Sequence, residues 1–486
     1  MNQKVGILSN REIGCILAQT LGREEVTVSL FPEGVEFQDT EEQVLFCNQY
    51  NQNGVSVMLD MESFLLSLES PKRIFIVGEG AFFVEEVLKK LIPHLEPGDI
   101  LVDLCDGKFT AVPSRVQQVK ETGAQYLSTG FLQGGESFSK GFSLLPGGSF
   151  QAYDAVRDVL MVLCAKMDGD FYCCPYIGPD GSGQYVKTVH DGLAACLLQI
   201  YVEAIAMTRT LLGCDNDTLA EILSEWHDHE CGSFLLDVLC QVTRKYDRET
   251  GSPMIDVVMD RLETEAGLAW TLESGLALSV PMPAMYAANE MASFSGLKNE
   301  RIAASKLLKP IPVRAMDTSS QKAFLEEVQH AAYLATLCAL AQSFALLKKA
   351  SDHYTWELNM LSIAKAYQGS SYVRSEALFR VIEALERKSD LNNLFLDPYF
   401  KSVAESYAQD LRSFVKKGVS IGLPILCIQS CVGYLDSYRS AVLPVGTASL
   451  AWDYVLGSGF ARNDRSGSFH GDWQNPDRYL DAELLQ

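Results

Sequence analysis

Short runs of apolar residues alternate with helical patterns in the first third of the chain. The apolar runs read as buried strands and are Val5–Leu8, Val26–Leu30, Ile74–Val77 and Ile100–Asp103. Between them, segments such as Phe83–Leu91 place apolar residues at helical spacing. Strands and helices in alternation predict a parallel, doubly wound sheet.

The pattern changes near Gly183, where long helical stretches replace the strand-like runs. Apolar residues recur every three to four positions in these stretches. The stretches are Val186–Leu211, Asn216–Trp226, Gln321–Lys349 and Ser375–Glu386. An all-helical region is therefore expected to reach about Ser437. Beyond it glycine and serine are frequent, which is typical of a tail that becomes ordered against a neighbour.

Composition and charge narrow the class of protein. A chain of 486 residues exceeds what one core usually supports, so two or more domains are expected. Hydrophobic residues make up 47% of the chain and charged residues 21%, which is ordinary for a folded soluble protein. The formal net charge of -22 argues against nucleic acids and anionic membrane surfaces as partners, because both would be repelled.

Two further features bear on location and metal content. The start of the chain lacks a secretory apolar segment, and its most apolar stretch, Leu193–Met207, is interrupted by Gln199 and Glu203. The interruption predicts that this stretch does not span a membrane. The 13 cysteines include no Cys-x-x-Cys pair, which argues against a zinc ribbon or a thioredoxin-type site. Because their number is odd and a secretory segment is lacking, we expect a cytoplasmic chain with reduced thiols. The run His227–Glu230 has metal-ligand residue types, but no further ligand is evident near it in the sequence. A solvated loop without metal is therefore predicted.

A run in the middle of the chain carries the strongest chemical signal. Asp180–Gly192 reads DGSGQYVKTVHDG. It resembles the catalytic signature of the 6-phosphogluconate dehydrogenases, a Gly-His-Phe-Val-Lys-Met-Val-His-Asn-Gly run that opens the long helix joining two domains. Further segments resemble the family in the same order, from residue 5 to about residue 475. They are Gly134–Glu136, Leu145–Gly148, Asn299–Ser305 and Leu394–Phe400.

The resemblance implies a fold and an assembly. We expect an α/β Rossmann-like domain over residues 1–182, an all-α helical domain over residues 183–437 and a C-terminal tail over residues 438–486. In the family this tail threads into the partner subunit of a homodimer, so a homodimer is expected here. The family's reaction is the NADP-dependent oxidative decarboxylation of 6-phosphogluconate, a step of the pentose phosphate pathway.

The sequence departs from the family at the cofactor positions. The family's Gly-x-Ala-x-x-Gly turn falls on Ser9–Gly14, where only Gly14 remains. Glycines are needed there because the backbone approaches the pyrophosphate closely at a helix N-terminus. The Asn-Arg-Thr that grips the 2′-phosphate of NADP aligns with Phe31–Glu33, and Asp106 stands where the family's Asp-Gly-Gly-Asn-Ser has its asparagine. Gly14 and Asp106 are thus vestigial cofactor-binding positions. No cofactor is expected to bind, and NADP is the expected cofactor if the protein is active.

The substrate positions differ as well. The family's phosphate-binding tyrosine, lysine and two arginines, and its tail histidine, are all replaced. Their positions hold Ala195, Glu265, Ala292, Trp452 and Ser458. Because Arg and Lys form charge-assisted bonds of about 1.5–3 kcal/mol each with phosphate, selective phosphate binding is expected to be lost. Gly134 and Gly135 keep the family's substrate-contacting glycine pair.

The catalytic positions are divided between retained and replaced residues. Lys187 matches the lysine base that takes the 3-hydroxyl proton, and His190 matches a substrate-contacting histidine. Asp191 replaces an asparagine, and Ala194 replaces the glutamate that protonates the enediol. General acid catalysis is typically worth about 10²–10⁴-fold, so Ala194 alone predicts a crippled reaction. Lys187 has either a pocket role or a solvated one, and His190 either pairs with Asp191 or is a core histidine.

Two functions from different classes are compatible with these residues. The favoured hypothesis is a homologue that has lost oxidative decarboxylation and acts as a dimeric scaffold or regulator, with an unidentified protein partner. The alternative is a divergent oxidoreductase of the same family, acting on 6-phosphogluconate or another substrate with NAD(P). If that other substrate is uncharged or cationic, the acidic residues Glu33, Asp106, Asp191 and Glu265 could form the new site.

Overall fold

The computed structural model forms two compact units, Met1–Val432 and Gly433–Gln486. It describes residues 4–35, 37–79, 81–133, 140–167, 169–263, 266–309, 311–312, 316, 320–471, 473 and 479–481. The substrate positions Gly134 and Gly135 and the acidic position Glu265 lie outside the described residues. The domain boundaries expected after residues 182 and 437 stay predictions.

A seven-stranded sheet is the centre of the N-terminal region within the described residues. Its strands are β1 (Val5–Ser9), β2 (Val28–Phe31), β3 (Val55–Val57), β4 (Arg73–Val77), β5 (Ile100–Asp103), β6 (Gln125–Leu132) and β7 (Ser143–Gly148). Their order is β3-β2-β1-β4-β5-β6-β7, and every neighbouring pair is parallel except β6 and β7. The parallel sheet is confirmed. The apolar runs missed β3, β6 and β7, because β3 has three residues and the other two are interrupted by serine and glycine.

Helices cover both faces of this sheet. They are α1 (Glu12–Arg23), α2 (Thr40–Tyr50), α3 (Met61–Leu66), α4 (Ala81–Leu91), α5 (Val112–Lys120) and α6 (Phe150–Leu163), with 3₁₀ turns at Ile92–His94 and Phe109–Ala111. One apolar cluster joins the sheet to α1 and α6, and a second joins it to α3, α4 and α5. Burial on both faces is what a doubly wound α/β fold requires. A short hairpin of β8 (Lys166–Met167) and β9 (Phe171–Tyr172) follows α6.

A helical region follows from residue 182 onward and confirms the second half of the predicted fold. Its helices are α7 (Ser182–Leu212), α8 (Asn216–His227), α9 (Phe234–Thr243), α10 (Met254–Val257), α11 (Ala266–Ala277), α12 (Pro283–Gly296), α13 (Lys298–Leu307), α14 (Gln321–Tyr354), α15 (Met360–Gly369), α16 (Glu376–Arg387), α17 (Pro398–Ile421) and α18 (Leu426–Arg439), with a 3₁₀ turn at Leu394–Leu396. The second unit also contains α19 (Gly446–Leu456) and the pair β10 (Phe469–Gly471) and β11 (Tyr479–Asp481).

Two of these helices, α7 and α14, are long and apolar enough to cross a membrane by length and composition. In the structure, 56% of the most apolar window of α7 and 89% of that of α14 are buried. Burial inside the fold is the behaviour of core helices in soluble proteins, which pass the same length and composition test.

Helix α7 begins against the C-terminal strands of the sheet at a crossing made by three glycines. A Cβ atom added at Gly183 would lie 1.9 Å from the carbonyl oxygen of Leu145. One added at Gly147 would lie 2.4 Å from the nitrogen of Gly183, and one at Gly130 would lie 2.6 Å from its oxygen. Backbones can approach this closely only where side chains are absent. We refer to Gly130, Gly147 and Gly183 as the glycine crossing, and it fixes where Lys187 lies, one turn further along α7.

Candidate active site

Lys187 is the centre of an ion cluster between the sheet and the first turns of α7. Its Nζ lies 2.5 Å from Oδ2 of Asp191 on the same helix and 2.9 Å from Oδ1 of Asp106, in the loop after β5. The lysine side chain is 11% exposed, whereas those of Asp191 and Asp106 are 27% and 58% exposed. A buried ammonium is thus held by two carboxylates, at the positions where the family resemblance implied two asparagines.

This pairing sets the protonation of the cluster. Burial alone would lower the pKa of Lys187, but the charges of Asp191 and Asp106 outweigh burial and raise that pKa above its ordinary value. Burial would raise the pKa of Asp191, yet the hydrogen bond with His190 and the charge of Lys187 lower it. Lys187 is therefore an ammonium and Asp191 a carboxylate throughout the physiological pH range.

His190 is buried beside the cluster. Its Nδ1 lies 3.0 Å from Oδ1 of Asp191, and its ring packs edge-on against Tyr367 at 5.1 Å between ring centroids. Within the described part of the chain, its Nε2 is buried and has no hydrogen-bond partner. The structure therefore combines both readings of the sequence, because His190 pairs with Asp191 and is also a core residue. Its role in binding a substrate stays a prediction.

Three of the replaced positions hold alanine, which has no hydrogen-bonding side chain. Ala194 and Ala195 are half-buried on the same helix as Lys187, and Ala292 on α12 is buried. Gly267 on α11 lies against Asp191, and a Cβ there would lie 2.5 Å from Cβ of Asp191. The missing side chain at Gly267 thus makes room for Asp191.

The loop that carries Asp106 is attached to the helical region by three different contacts. The ring of Phe109 packs edge-on against Tyr185, Tyr354 and Trp356, with centroids 4.9, 5.5 and 5.8 Å away. Lys108 pairs with Glu273 of α11 at 2.6 Å, and Asp106 pairs with Lys187. Sequence reasoning missed Phe109 and Lys108, because nothing local indicates that their partners lie about 80 to 250 residues further along the chain. These contacts hold the loop after β5 against the helical region.

The side chains of Ser9 and Arg11 make the contacts of the turn between β1 and α1. The Ser9 hydroxyl donates to the carbonyl of Arg11 and accepts from its amide. The Arg11 guanidinium pairs with Glu79 at 2.6 Å, and Glu12 places a carboxylate in the first turn of α1. Gly14 packs directly on Ser9, since a Cβ there would lie 2.2 Å from the serine side chain. Gly14 therefore has a packing role.

The acidic residue that follows β2 already has an ion-pair partner. Glu33, in the segment Phe31–Glu33, forms an ion pair with Lys90 at the end of α4, and its side chain is 12% exposed. The resemblance implies that the corresponding segment of the family binds the 2′-phosphate of NADP through an arginine. Here the nearby positive charge is neutralised by Glu33, so the described residues do not supply the phosphate contacts that NADP needs at this place. The turn and β2 thus do not fit the cofactor in the family's manner.

The structure also shows the contacts of the acidic residues that the sequence suggested as a new site, and of the run His227–Glu230. Glu33 pairs with Lys90, and Asp106 and Asp191 share Lys187, so these acids are not gathered into one site. In the run His227–Glu230, Glu230 accepts a hydrogen bond from the hydroxyl of Tyr407 at 3.1 Å. Among the described residues no group of three His, Cys, Asp or Glu side chains is arranged to hold a metal ion.

Comparison with known proteins agrees with this architecture. Residues 18–178 match the NAD binding domain of 6-phosphogluconate dehydrogenase, and residues 183–473 match its C-terminal domain. The first match begins after the Ser9–Gly14 turn. The NADP(+)-dependent decarboxylating enzyme of Bacillus subtilis strain 168 is 33% identical over 471 residues, which is 97% of this chain and 99% of that enzyme. The decarboxylating enzyme of Klebsiella pneumoniae is 32% identical over the same lengths.

A solved structure leads to the same result. Plasmodium falciparum 6-phosphogluconate dehydrogenase, described in apo form and in complexes with its cofactor NADP+ and its substrate 6-phosphogluconate, superposes with a TM-score of 0.90 and 25% identity, over 97% of this chain and 100% of that one. A Rossmann-like sheet followed by a helical domain, with a lysine at their junction, defines a two-domain oxidoreductase fold of the NAD(P)-binding class. Within that class, the chain belongs to the 6-phosphogluconate dehydrogenase family.

Proposed function

We propose that this member of the family does not catalyse the oxidative decarboxylation of 6-phosphogluconate and acts as a dimeric scaffold or regulator. The observation that carries the proposal is the pair of carboxylates on Lys187, at 2.5 and 2.9 Å. A general base must be unprotonated to accept a proton. The charges of Asp191 and Asp106 raise the pKa of Lys187, so the lysine is protonated and cannot take a hydroxyl proton.

The other half of the acid–base pair is missing on the same helix. Ala194 has a methyl group where the family has the glutamate that protonates the enediol, and a methyl group carries no transferable proton. General acid catalysis typically contributes about 10²–10⁴-fold. Loss of the acid and inactivation of the base act on different steps, so each reduces turnover independently.

Binding of the family's ligands is opposed at three separate places. The substrate phosphate would meet Ala195 and Ala292 instead of a tyrosine and an arginine. The pyrophosphate would meet Glu12 at the helix N-terminus, and the 2′-phosphate would meet Glu33. The alanines form no bond with a phosphate, and the like charge of Glu12 and Glu33 costs binding energy, where charge-assisted bonds would contribute about 1.5–3 kcal/mol each.

A homodimer and a protein partner belong to the same proposal. The family resemblance implies an exchange of tails between subunits, and α19 in the C-terminal unit exposes Trp452, Tyr454, Val455 and Leu456. Exposed apolar residues of this size are typical of association surfaces. Light scattering at micromolar concentration should give twice the chain mass of 53.6 kDa. A monomer at that concentration would contradict the dimer without bearing on catalysis.

The alternative is a divergent oxidoreductase of the family with NAD(P). It is favoured by the match over 97% of the chain to a relative named as an NADP(+)-dependent enzyme, and by the retained Lys187. In this case an incoming ligand would have to displace Asp106, the more exposed of the two carboxylates, from the lysine.

One set of measurements separates the two functions. Thermal shifts with NADP, NAD and 6-phosphogluconate report binding, because a ligand of the native state raises the melting temperature. Nucleotide reduction followed by absorbance reports turnover, with the Bacillus subtilis relative as the positive control. We expect no shift and no turnover from the wild type or from Ala194→Glu. Turnover by the wild type would refute the proposal, and turnover by Ala194→Glu alone would show that binding had survived and only the acid was missing.

A further inference from the structure

A second buried ion cluster lies at the end of β5, just before Asp106. Its centre is Asp103, whose side chain is 2% exposed. The carboxylate accepts hydrogen bonds from the amide of Cys105 at 2.9 Å, from the hydroxyl of Tyr126 on β6, and from Nη1 of Arg115 on α5 at 3.3 Å. Asp103 therefore joins the loop after β5 to two other elements of the N-terminal region.

Packing alone does not require charges at this place. The side chain of Arg115 is 6% exposed, and its Nε pairs with Glu85 of α4 at 2.8 Å. Burial raises the pKa of Asp103, and the hydrogen bond from Tyr126 and the charge of Arg115 oppose that rise. Apolar residues of similar volume are often as stable as a buried ion pair. The carboxylate of Asp103 is thus better explained by what it holds in place.

The hydrogen bond between Asp103 and the amide of Cys105 fixes the start of the loop. An aspartate that accepts the amide two residues further on forms a turn with its side chain. Leu104 and Cys105 are buried, and the amide of the first and the thiol of the second both donate to a carbonyl of β4, at 2.9 and 3.6 Å. Asp106 is the next residue and lies 2.9 Å from Nζ of Lys187. The direction in which the chain leaves Cys105 therefore decides whether Asp106 reaches the lysine.

We propose that Asp103 is a positioning residue, which directs the loop after β5 so that Asp106 stays paired with Lys187. It acts through the backbone of Cys105 and the carboxylate of Asp106. Without this pairing, Lys187 would lose one of the two carboxylates that raise its pKa. The inference rests on the proposed function, in which the ammonium of Lys187 cannot act as a base.

The test compares two full-length variants that differ only in whether position 103 can accept the amide of Cys105. Both carry Arg115→Met, because a guanidinium without its carboxylate would be left buried and unpaired. Asp103→Leu with Arg115→Met removes the acceptor. Asp103→Asn with Arg115→Met keeps an oxygen that can form the same turn, since asparagine and aspartate both do so. The charge of Asp103 is lost in both variants, so its direct effect on Lys187 is the same in each.

The measurement is the rate at which acetic anhydride labels Lys187 at pH 7, followed by peptide mass spectrometry. Lys401 on α17, whose side chain is 68% exposed, is the internal reference. Labelling in the leucine variant should be at least about threefold faster than in the wild type, which corresponds to about half a pKa unit. Labelling in the asparagine variant should remain within about 1.5-fold of the wild type, because the Cys105 amide is still held.

A double-mutant cycle with Asp106→Asn separates positioning from a general loosening of the fold. If Asp103 acts through Asp106, the leucine variant should add less than about 1.5-fold to the labelling of Lys187 once Asp106 is asparagine. A loosened fold would instead accelerate labelling equally in both backgrounds, and that result would overturn the proposal. Wild-type labelling in the leucine variant, or equal acceleration in the asparagine variant, would overturn it as well.

Melting curves check that all variants are folded. Should the leucine variant not fold, Asp103→Ala with Arg115→Met removes the same acceptor and is held to the same outcomes. Turnover of 6-phosphogluconate by the wild type would refute the proposed function, whereas the labelling comparison decides the role of Asp103, so the two failures are distinguishable.

Discussion

The glycine crossing and the β1–α1 turn both lie at places that resemble motifs of the family. They differ in whether the packing of the backbone requires a glycine there. At the crossing, Gly147 and Gly183 bring two backbones together, and any side chain would separate helix from sheet. At the turn, Ser9 bonds to Arg11 and Arg11 pairs with Glu79, and these contacts leave the path of the backbone intact.

The difference lies in what makes a glycine necessary. A glycine required by packing is required whether or not a ligand binds, because its loss raises the free energy of the folded state itself. A glycine required by a pyrophosphate is needed only when that pyrophosphate docks. Gly14 belongs to the first kind in this structure, since it packs on Ser9, and this explains why it remains in a turn whose other glycine has become a serine.

The largest effect is expected at the crossing. Gly183→Ala should lower the melting temperature by more than about 8 °C or prevent soluble expression, because the new Cβ would lie 1.9 Å from the carbonyl oxygen of Leu145 and the backbone would have to move. Differential scanning calorimetry checks this. The control is Gly296→Ala, at an exposed helix end with no atom within 4 Å of the added Cβ, which should stay within about 2 °C of the wild type. Similar melting of the two variants would contradict the packing role.

The second effect concerns a buried charge further along α7. Glu203 is 1% exposed, and its carboxylate accepts hydrogen bonds from the amides of Cys427 and Ile428 at the start of α18, both at 2.9 Å. Burial raises its pKa to about 7. A carboxyl whose pKa is raised on folding stabilises the protein fully below its unfolded pKa, near 4.5, and the contribution is lost as pH rises through about 7.

Glu203→Gln removes this pH dependence. The melting temperature of the wild type minus that of Glu203→Gln should therefore be larger at pH 5 than at pH 8, with a difference in stability of about 3 kcal/mol. Glu405→Gln on α17, whose side chain is 68% exposed, is the control and should follow the wild type at both pH values. A constant difference between pH 5 and pH 8 would show that Glu203 is ionised over the whole range.

The sequence predicted the parallel sheet and the long helices because both depend on local periodicity. The apolar runs of β1, β2, β4 and β5 alternate with amphipathic helices, and this is visible within windows of ten to twenty residues. Strand β7 was missed because its core is Leu-Leu-Pro-Gly-Gly, a composition typical of turns, and its pairing with β6 depends on the tertiary context.

The candidate site was predictable residue by residue but not as a cluster. Family resemblance located Asp106, Lys187 and Asp191, whereas their ion pairs required the loop after β5 to reach α7, a contact about 80 residues apart in sequence. Phe109, which anchors that loop among three aromatic rings, carries no chemical signal of its own. Long-range packing of this kind leaves no period or motif in the chain.

A third prediction concerns the charge of Lys187. In Asp106→Asn with Asp191→Asn, burial of the ammonium is no longer opposed by carboxylates, so the pKa of Lys187 should fall. Labelling by acetic anhydride at pH 7, measured by peptide mass spectrometry relative to Lys401, should become at least about tenfold faster at Lys187, which corresponds to one pKa unit. Asp390→Asn, an exposed position whose side chain is 80% exposed, is the control. Unchanged labelling of Lys187 would mean that the two carboxylates do not set its protonation.

The smallest effect is expected at the β1–α1 turn, and it sharpens the contrast with the crossing. Arg11→Ala removes the ion pair with Glu79, whose two side chains are 43% and 63% exposed. Exposed ion pairs contribute about 0–1 kcal/mol, because water screens the charges and holding the side chains costs conformational entropy. The melting temperature should therefore change by less than about 3 °C. A double-mutant cycle with Glu79→Ala isolates the pair itself, and a coupling below about 1 kcal/mol is expected. A fall in melting temperature as large as that of Gly183→Ala would show that the fold requires the side chains of the turn, as it requires the glycines of the crossing.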